Sequence, residues 1–178
     1  MILEETLNKL IRDVVNDLLS LPGYAIKAKQ NAPRPTGSYG DVDFLSDRSI
    51  GWEQRNQVDN IADPDIAESI TGAREITMSL GFYRDNAMDN ARAVRTGLFR
   101  QSTTDLFRSA GVGLASRSEI RDISEPLENA WEKRSQFDIV INAVGTDVDI
   151  INSILAISIS GNFETRGKSI PISIEVTT

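Results

Sequence analysis

The chain has 178 residues, of which 40% are hydrophobic and 25% charged, as expected for a globular domain with a proper core. It contains neither cysteine nor histidine, which excludes Cys/His zinc sites, disulfides and nucleophiles activated by an imidazole. The net charge of -7 argues against a general nucleic-acid-binding protein, and the lack of a long apolar run predicts a soluble protein without a signal peptide or membrane span.

The first part of the chain predicts one helix and three strands. Ile2–Leu19 repeats apolar residues at three- and four-residue steps, which is typical of a helix with one buried face. Strands are predicted at Tyr24–Gln30, at Asp41–Ile50 and, from clear alternation of apolar and polar residues, at Ala73–Tyr83. The polar stretch Glu53–Gly72 is predicted to form a long loop or weak hairpin that contacts a partner.

A stiff connection is predicted between the first two strands. Pro33 and Pro35 bracket Arg34, and each proline fixes its own φ and favours extended geometry in the residue before it. Ala32–Pro35 should therefore be extended and unable to form a regular hairpin turn. Two interpretations stay open: a crossover that only completes a sheet, or a rigid loop that presents Arg34 to another molecule.

The middle of the chain predicts a pair of helices. The first is expected over Asn86–Gln101 with Asp85 as its N-cap, and the second is expected to begin at a Ser102 or Thr103 cap and to end at Gly111. The stretch Ile120–Glu132 has no clear pattern, although Ser124-Glu125-Pro126 is compatible with the first turn of a helix.

The remaining segments predict antiparallel strands. Val112–Arg117 and Lys133–Val144 alternate apolar and polar residues, and Gly145-Thr146 is expected to end the second of these strands. Two further strands follow, with Ile170–Val176 as the last, and Thr165-Arg166-Gly167 is predicted to form the turn between them.

These elements predict an α+β fold. A mostly antiparallel β-sheet would carry the N-terminal helix and the helix pair on one face, with a long C-terminal β-hairpin added. We expect residues 1–178 to form a single domain, with 160–178 as a hairpin extension. Long hairpins with polar outer faces leave open edges, which predicts oligomerisation.

Three acidic groups could in principle hold a divalent cation. They are Asp41, Asp43 and Asp47; Asp63 and Asp65; and Asp147 and Asp149. None has the spacing of a calcium loop, and solvated carboxylates at strand edges and turns are far commoner, so we predict no metal, no cofactor and no catalytic residue. A carboxylate–metal nuclease and a plain binding module stay open as alternatives.

Several short motifs, taken in order along the chain, resemble those of the phage neck or tail terminator family. The likeness covers roughly Tyr24–Ile154, whereas this chain continues through a further strand, Ser169–Val176, beyond the point where similar proteins tend to end. The motifs are Gln30-Asn31-Ala32-Pro33-Arg34-Pro35, Gly37, Tyr39, Arg48-Ser49-Ile50-Gly51, Thr71-Gly72-Ala73-Arg74-Glu75, Leu106–Gly113, Trp131-Glu132-Lys133-Arg134-Ser135-Gln136 and Thr146-Asp147-Val148-Asp149.

This resemblance implies a structural protein of the virion, assembled in the host cytoplasm. Such proteins form a ring, usually a hexamer, that caps the tail tube, stops tail polymerisation and offers a docking surface to the head–tail connector or head-completion protein. In a contractile tail the ring also meets the tail sheath protein. DNA would only pass through the lumen, whose acidic wall would repel phosphate. Another neck, head-completion or baseplate component is the nearest alternative.

Six residues are candidate contacts in such an assembly. Pro33, Arg34 and Pro35 form the rigid loop, and Trp52 follows in the next strand. Arg166 and Lys168 form the basic tip of the C-terminal hairpin.

Overall fold

The computed structural model describes the backbone of residues 4–59, 66–127, 130–151, 156–165 and 168–177, and the side chains of residues 4–57, 68–127 and 130–149. The helices are α1 (Glu4–Leu19), α2 (Ala87–Gly97) and α3 (Gln101–Ser109). The strands are β1 (Ala25–Lys27), β2 (Tyr39–Asp59), β3 (Ile66–Tyr83), β4 (Val112–Arg117), β5 (Arg121–Asp122), β6 (Glu125–Leu127), β7 (Ala130–Glu132), β8 (Arg134–Ile151), β9 (Ala156–Thr165) and β10 (Lys168–Thr177).

Contacts between residues divide the chain into two compact units. One unit consists of Met1–Glu53 and Thr71–Thr146, and the other consists of Gln54–Ile70 and Asp147–Thr178. The expectation of a single domain over residues 1–178 stays a prediction.

The main sheet has the strand order β1-β2-β3-β8-β4, with β5 also paired to β8. Strands β4 and β5 run antiparallel to β8, whereas β1 pairs in parallel with β2 through Gly40–Val42. A parallel pair cannot be joined by a tight hairpin. The Ala32–Pro35 segment is therefore part of a crossover between parallel strands, and the prediction that it forms no hairpin turn is confirmed.

The core lies between the sheet and the helices. Strand β3 contributes Ile76, Met78, Leu80 and Phe82, which alternate along one face as predicted, and each is at most 4% exposed. All three helices pack on this same face, so the predicted α+β fold is confirmed. The other buried side chains include Leu7, Ile11, Val14 and Val15 of α1; Ala87, Ala91 and Val94 of α2; Phe107 of α3; and Phe137, Ile139, Ile141 and Ala143 of β8.

Helix α1 is tied to the first strands by two polar contacts. The Asn8 side chain is 1% exposed, and its Nδ2 donates to the carbonyl oxygen of Val42 at 3.1 Å. The backbone N–H of Ala25 donates to Oδ1 of Asn16 at 2.8 Å. A buried amide needs such partners, and here they fix the helix against β1 and β2.

Both predicted N-caps of the helix pair are wrong. Helix α2 begins after Asn86, which has a left-handed backbone at φ 60°, and no side chain caps it. Helix α3 begins after Arg100, which has an extended backbone, and no side chain caps it. Thr103 is buried and donates its hydroxyl to the carbonyl oxygen of Gly97 at 3.2 Å. Thr103 therefore closes the end of α2 and does not begin α3.

Two other local predictions are also wrong. Residues Glu125–Leu127 form strand β6, which pairs with β7, and no helical turn opens at Ser124. Strand β8 continues through Gly145 to Ile151, although Gly145 was expected to end it. A Cβ at Gly145 would lie 2.7 Å from Nε of Arg74, so this glycine makes room for a side chain of β3.

The C-terminal hairpin is confirmed. Strands β9 and β10 run antiparallel, and their register pairs Thr165 with Lys168. Thr165, which was predicted to lie in the turn, is the last residue of β9, and Arg166 and Gly167 lie outside the described residues. Both strands belong to the second compact unit.

Candidate assembly surface

Arg34 is held by its own chain on the side of the sheet away from the helices. Its Nε donates to the hydroxyl of Tyr39 at 2.9 Å, and its Nη2 donates to Oε2 of Glu132 at 3.3 Å. The guanidinium also lies over the ring of Tyr83, 5.6 Å from the ring centre. The side chain is still 46% exposed, so one part of it can contact another molecule.

Glu132 is the centre of this cluster. Its side chain is 5% exposed and receives hydrogen bonds from Arg34, from Arg84 at 3.3 Å and from Arg134 at 2.7 Å. Burial alone would raise the pKa of this carboxyl, but the Arg134 hydrogen bond and charge, together with Arg34 and Arg84, bring the net pKa below its ordinary value. Glu132 is therefore a buried anion that joins three separate segments of the chain.

Arg84 connects the same cluster to the proline loop. Its Nη1 donates to the carbonyl oxygens of Pro35 at 2.5 Å and Gly37 at 3.0 Å. The Arg84 backbone is left-handed, with φ 67°, and its N–H donates to the carbonyl oxygen of Lys133 at 2.7 Å. The loop after β1 is thus fastened by side-chain contacts as well as by its prolines.

Two tyrosines and an aspartate complete the cluster. The rings of Tyr39 and Tyr83 stack with centres 4.6 Å apart, and the Tyr83 hydroxyl donates to Oδ2 of Asp41 at 3.1 Å. Burial raises the pKa of Asp41, and the Tyr83 hydrogen bond offsets part of this rise. Burial likewise raises the pKa of the Tyr83 hydroxyl, with the neighbouring Asp41 charge adding to the effect. We call Arg34, Tyr39, Asp41, Tyr83, Arg84, Glu132 and Arg134 the arginine–tyrosine cluster.

Sequence reasoning identified only one part of this cluster. The two prolines drew attention to Arg34, but its partner Glu132 lies 98 positions further along the chain. Glu132 belongs to one of the motifs on which the family resemblance rests, and this was the only available signal. Nothing in the local pattern indicated that its carboxylate would be buried.

Trp52 lies on β2 in a stretch that is exposed from Leu45 to Glu53. The indole itself is 99% exposed, and Leu45 and Ile50 are 49% and 42% exposed. Gly51 has a φ of 76°, so the strand is locally irregular beside the tryptophan. Strand β1 pairs with β2 through Gly40–Val42. After Val42, the described part of the chain provides no partner strand for the edge of β2 that faces away from β3.

Ion pairs across to β3 hold this exposed stretch of β2. Nη2 of Arg48 lies 2.5 Å from Oε1 of Glu75, and Nη1 of Arg74 lies 3.1 Å from Oδ2 of Asp47. Charged residues on an open edge discourage unspecific strand pairing. The stretch therefore combines a fixed position with exposed apolar side chains.

The structure does not test the basic hairpin tip as a contact. Arg166 lies outside the described residues, and for Lys168 only the backbone at the start of β10 is described. The assignment of Pro33, Arg34, Pro35, Trp52, Arg166 and Lys168 to an interface stays a prediction.

The acidic groups have partners or positions that fit a structural role. Asp41 accepts from Tyr83, and Asp43 pairs with Lys29 at 2.8 Å, while Asp47 pairs with Arg74. Asp63 and Asp65 lie outside the described residues, and Asp147 and Asp149 are exposed. Among the side chains that the structure describes, no group of three or more could hold a metal ion.

Across the described ranges, none of the helices has both the length and the apolar character needed to cross a bilayer.

Comparison with known proteins identifies a family for this chain. No curated protein matches the chain significantly. The model of the family described as phage neck terminator protein matches residues 5–166, which confirms the resemblance found in the sequence. The chain therefore belongs to the phage neck terminator family, a family of structural proteins of the phage tail and neck.

Proposed function

We propose that the protein forms a ring, a hexamer, at the end of the phage tail. The ring caps the tail tube, stops its polymerisation and provides the docking surface for the head–tail connector or head-completion protein. In a contractile tail it also contacts the sheath protein. The protein acts by assembly in the host cytoplasm and carries no catalytic residue, and DNA only passes through its lumen.

The observation that supports ring formation best is the exposed stretch of β2. Trp52 is 99% exposed on a strand with an open edge, together with Leu45 and Ile50. Exposed tryptophans are costly in a monomer and are enriched at the centres of protein interfaces. A subunit that buries this stretch against a neighbour removes the cost.

The proline loop supports a second contact. The arginine–tyrosine cluster and the two prolines fix the loop before any partner arrives, so little conformational entropy is lost on binding. The exposed side of Arg34 can then form an ion pair with an adjacent subunit or with the tube. Arg166 and Lys168 are proposed to contact the same partners from the hairpin tip.

The experiment measures mass in solution and tube length together. Light scattering over a range of protein concentrations is expected to give a species near six times 19.6 kDa. Tail tube protein polymerised with the wild-type protein should give short, capped tubes, and immunogold labelling of virions should mark the junction of head and tail. A protein that neither oligomerises nor limits tube length would contradict the proposed function.

Variants assign the contacts. Trp52→Ala is expected to lower the fraction of capped tubes at least tenfold, and Arg34→Ala is expected to lower it severalfold. Lys9→Ala is the control, because Lys9 is exposed on α1 and pairs with Asp13, four positions after it. Normal capping by Arg34→Ala would rule out the loop contact and leave the ring itself in place.

A further inference from the structure

An apolar groove opens beside β4, the last strand of the main sheet. It has a volume of about 520 Å³, and β4 is bonded to β8 on one side only within the described residues. Phe99 is 58% exposed at its mouth, where the Arg117 guanidinium lies 4.2 Å from the ring centre. The apolar lining consists of Leu98, Phe99, Phe107, Val112 and Leu114.

The groove belongs to a basic stretch of an acidic chain. Residues 84–121, which contain α2, α3 and β4, carry seven arginines and four acidic residues. The whole chain has a net charge of -7, so the remaining residues together carry -10. Arg108, whose side chain is 74% exposed, lines the groove itself.

The segment with the opposite properties is the β2–β3 pair. Its described side chains, those of residues 39–57 and 68–83, include six acidic residues and three arginines, and they present the exposed Trp52. One surface of the molecule is thus a basic, concave and apolar groove, and another is an acidic strand with a protruding indole. The groove is large enough for one indole ring, and the charges of the two segments are complementary.

We propose that Trp52 of one copy of this chain docks into the groove between α3 and β4 of the next copy. The inference rests on the proposed ring and names its joint. The two surfaces lie on different parts of one subunit, so the contact is head-to-tail, and such contacts close into rings when the rotation allows. The Trp52 indole is the anchor, and the arginines of the groove side bind the acidic β2–β3 pair.

Site-specific cross-linking tests this joint, because the chain contains no cysteine to interfere. Ile50→Cys places a thiol two residues before Trp52, and Thr104→Cys places one in the groove lining, so the anchor and the aromatic wall both stay intact. The two single variants, mixed in equal amounts and treated with a short bismaleimide, should give a covalent dimer. The double variant should give a ladder of bands that ends at the closed ring.

Two controls make the result specific. Trp131 is exposed in β7, which belongs to neither surface of the proposed joint. The Trp131→Cys variant, mixed with Thr104→Cys, should therefore give at least tenfold less dimer. Adding Trp52→Ala to the Ile50→Cys variant should lower the dimer yield by a similar factor. A yield that is equal for both pairs, or that does not depend on Trp52, would overturn the proposed joint.

A groove-filling variant provides an independent test. Thr104 lines the groove and is only half-buried, so Thr104→Trp should fold and place a ring in the groove. We expect it to keep the wild-type circular dichroism and melting temperature and to lose assembly. Rings of normal mass from this variant would exclude groove docking, whereas the proposed function fails only if the wild type forms no ring and caps no tube.

Discussion

Glu132 connects three arginines that come from different places in the sequence. Arg34 precedes β2, Arg84 follows β3 and Arg134 begins β8, and all three donate to one carboxylate that is 5% exposed. Removal of one partner from a buried ion pair leaves uncompensated charge, which typically costs about 3–5 kcal/mol. Removing the charge of Glu132 should have a similar cost in stability, because the three arginines would then lack the anion that they share.

We predict that Glu132→Gln lowers the free energy of unfolding at neutral pH by about 3 kcal/mol, within the range for a broken buried pair. Because the folded pKa of Glu132 lies below its ordinary value of 4.5, the stabilisation is present above pH 4.5 and is lost as the pH falls through the folded pKa. The variant should therefore lose less stability than the wild type in this range. Urea unfolding followed by circular dichroism at several pH values measures both effects.

Asp41→Asn is the matched control, because it should change the pH dependence of stability in the opposite direction. The folded pKa of Asp41 is raised, so the folded state binds the proton more tightly and gains stability as the pH falls. Its removal should make the acid loss steeper than in the wild type. Equal pH dependence in the wild type and both variants would contradict the role given to the cluster.

At the level of elements, α1 and α2 are in close contact at a glycine. A Cβ on Gly97, the last residue of α2, would lie 2.6 Å from Cδ2 of Leu18 and 3.2 Å from its Cγ. Leu18 is partly buried against the core. The absence of a side chain at position 97 therefore sets how closely the two helices approach.

Gly97→Val is predicted to destabilise the protein by about 1–3 kcal/mol, the usual cost of overpacking. Gly113→Val is the control, because it adds the same atoms to a strand where a Cβ meets nothing within 4 Å. This control should have unchanged or slightly higher stability, since β-branched residues suit strands. Thermal unfolding of both variants tests the pair, and an unchanged melting temperature for Gly97→Val would show that Leu18 moves aside at no cost.

The sequence correctly predicted the helices and strands whose buried apolar residues repeat at a regular interval. The helix over Ile2–Leu19, the strand Val112–Arg117 and the core face of β3 were confirmed because their apolar residues repeat at the helical or strand step. Strands β2 and β8 extend beyond their predicted ends into segments with few buried residues, where no period can form. The partners of Arg34 were missed because Glu132 is brought near by the fold and not by the sequence.

At the level of the whole molecule, the charge is unevenly distributed. Residues 84–121 have a net charge of +3 inside a chain of -7. If subunits join through the basic groove and the acidic β2–β3 pair, charge attraction contributes to every joint of the ring. Salt screens such attraction, since the Debye length falls from about 10 Å at 0.1 M to about 3 Å at 1 M.

We therefore predict that rising salt weakens assembly. Sedimentation at fixed protein concentration should show the ring giving way to smaller species between about 0.1 and 1 M NaCl, the range over which screening becomes complete at contact distance. Arg108→Glu should assemble more weakly at low salt and should be less sensitive to salt. A ring that becomes more stable as salt rises would indicate joints that are mainly apolar.

The long sequence separations within the arginine–tyrosine cluster also affect the order of folding. Arg34 and Glu132 are 98 positions apart, and Arg84 and Glu132 are 48 apart. Closing such loops costs entropy before any contact is gained, and a high contact order slows folding. During synthesis the proline loop emerges long before its buried anion, so it acquires its final position only when β7 and β8 have left the ribosome. Completion of the loop is thus a late step, which delays a contact-ready surface until the subunit is folded.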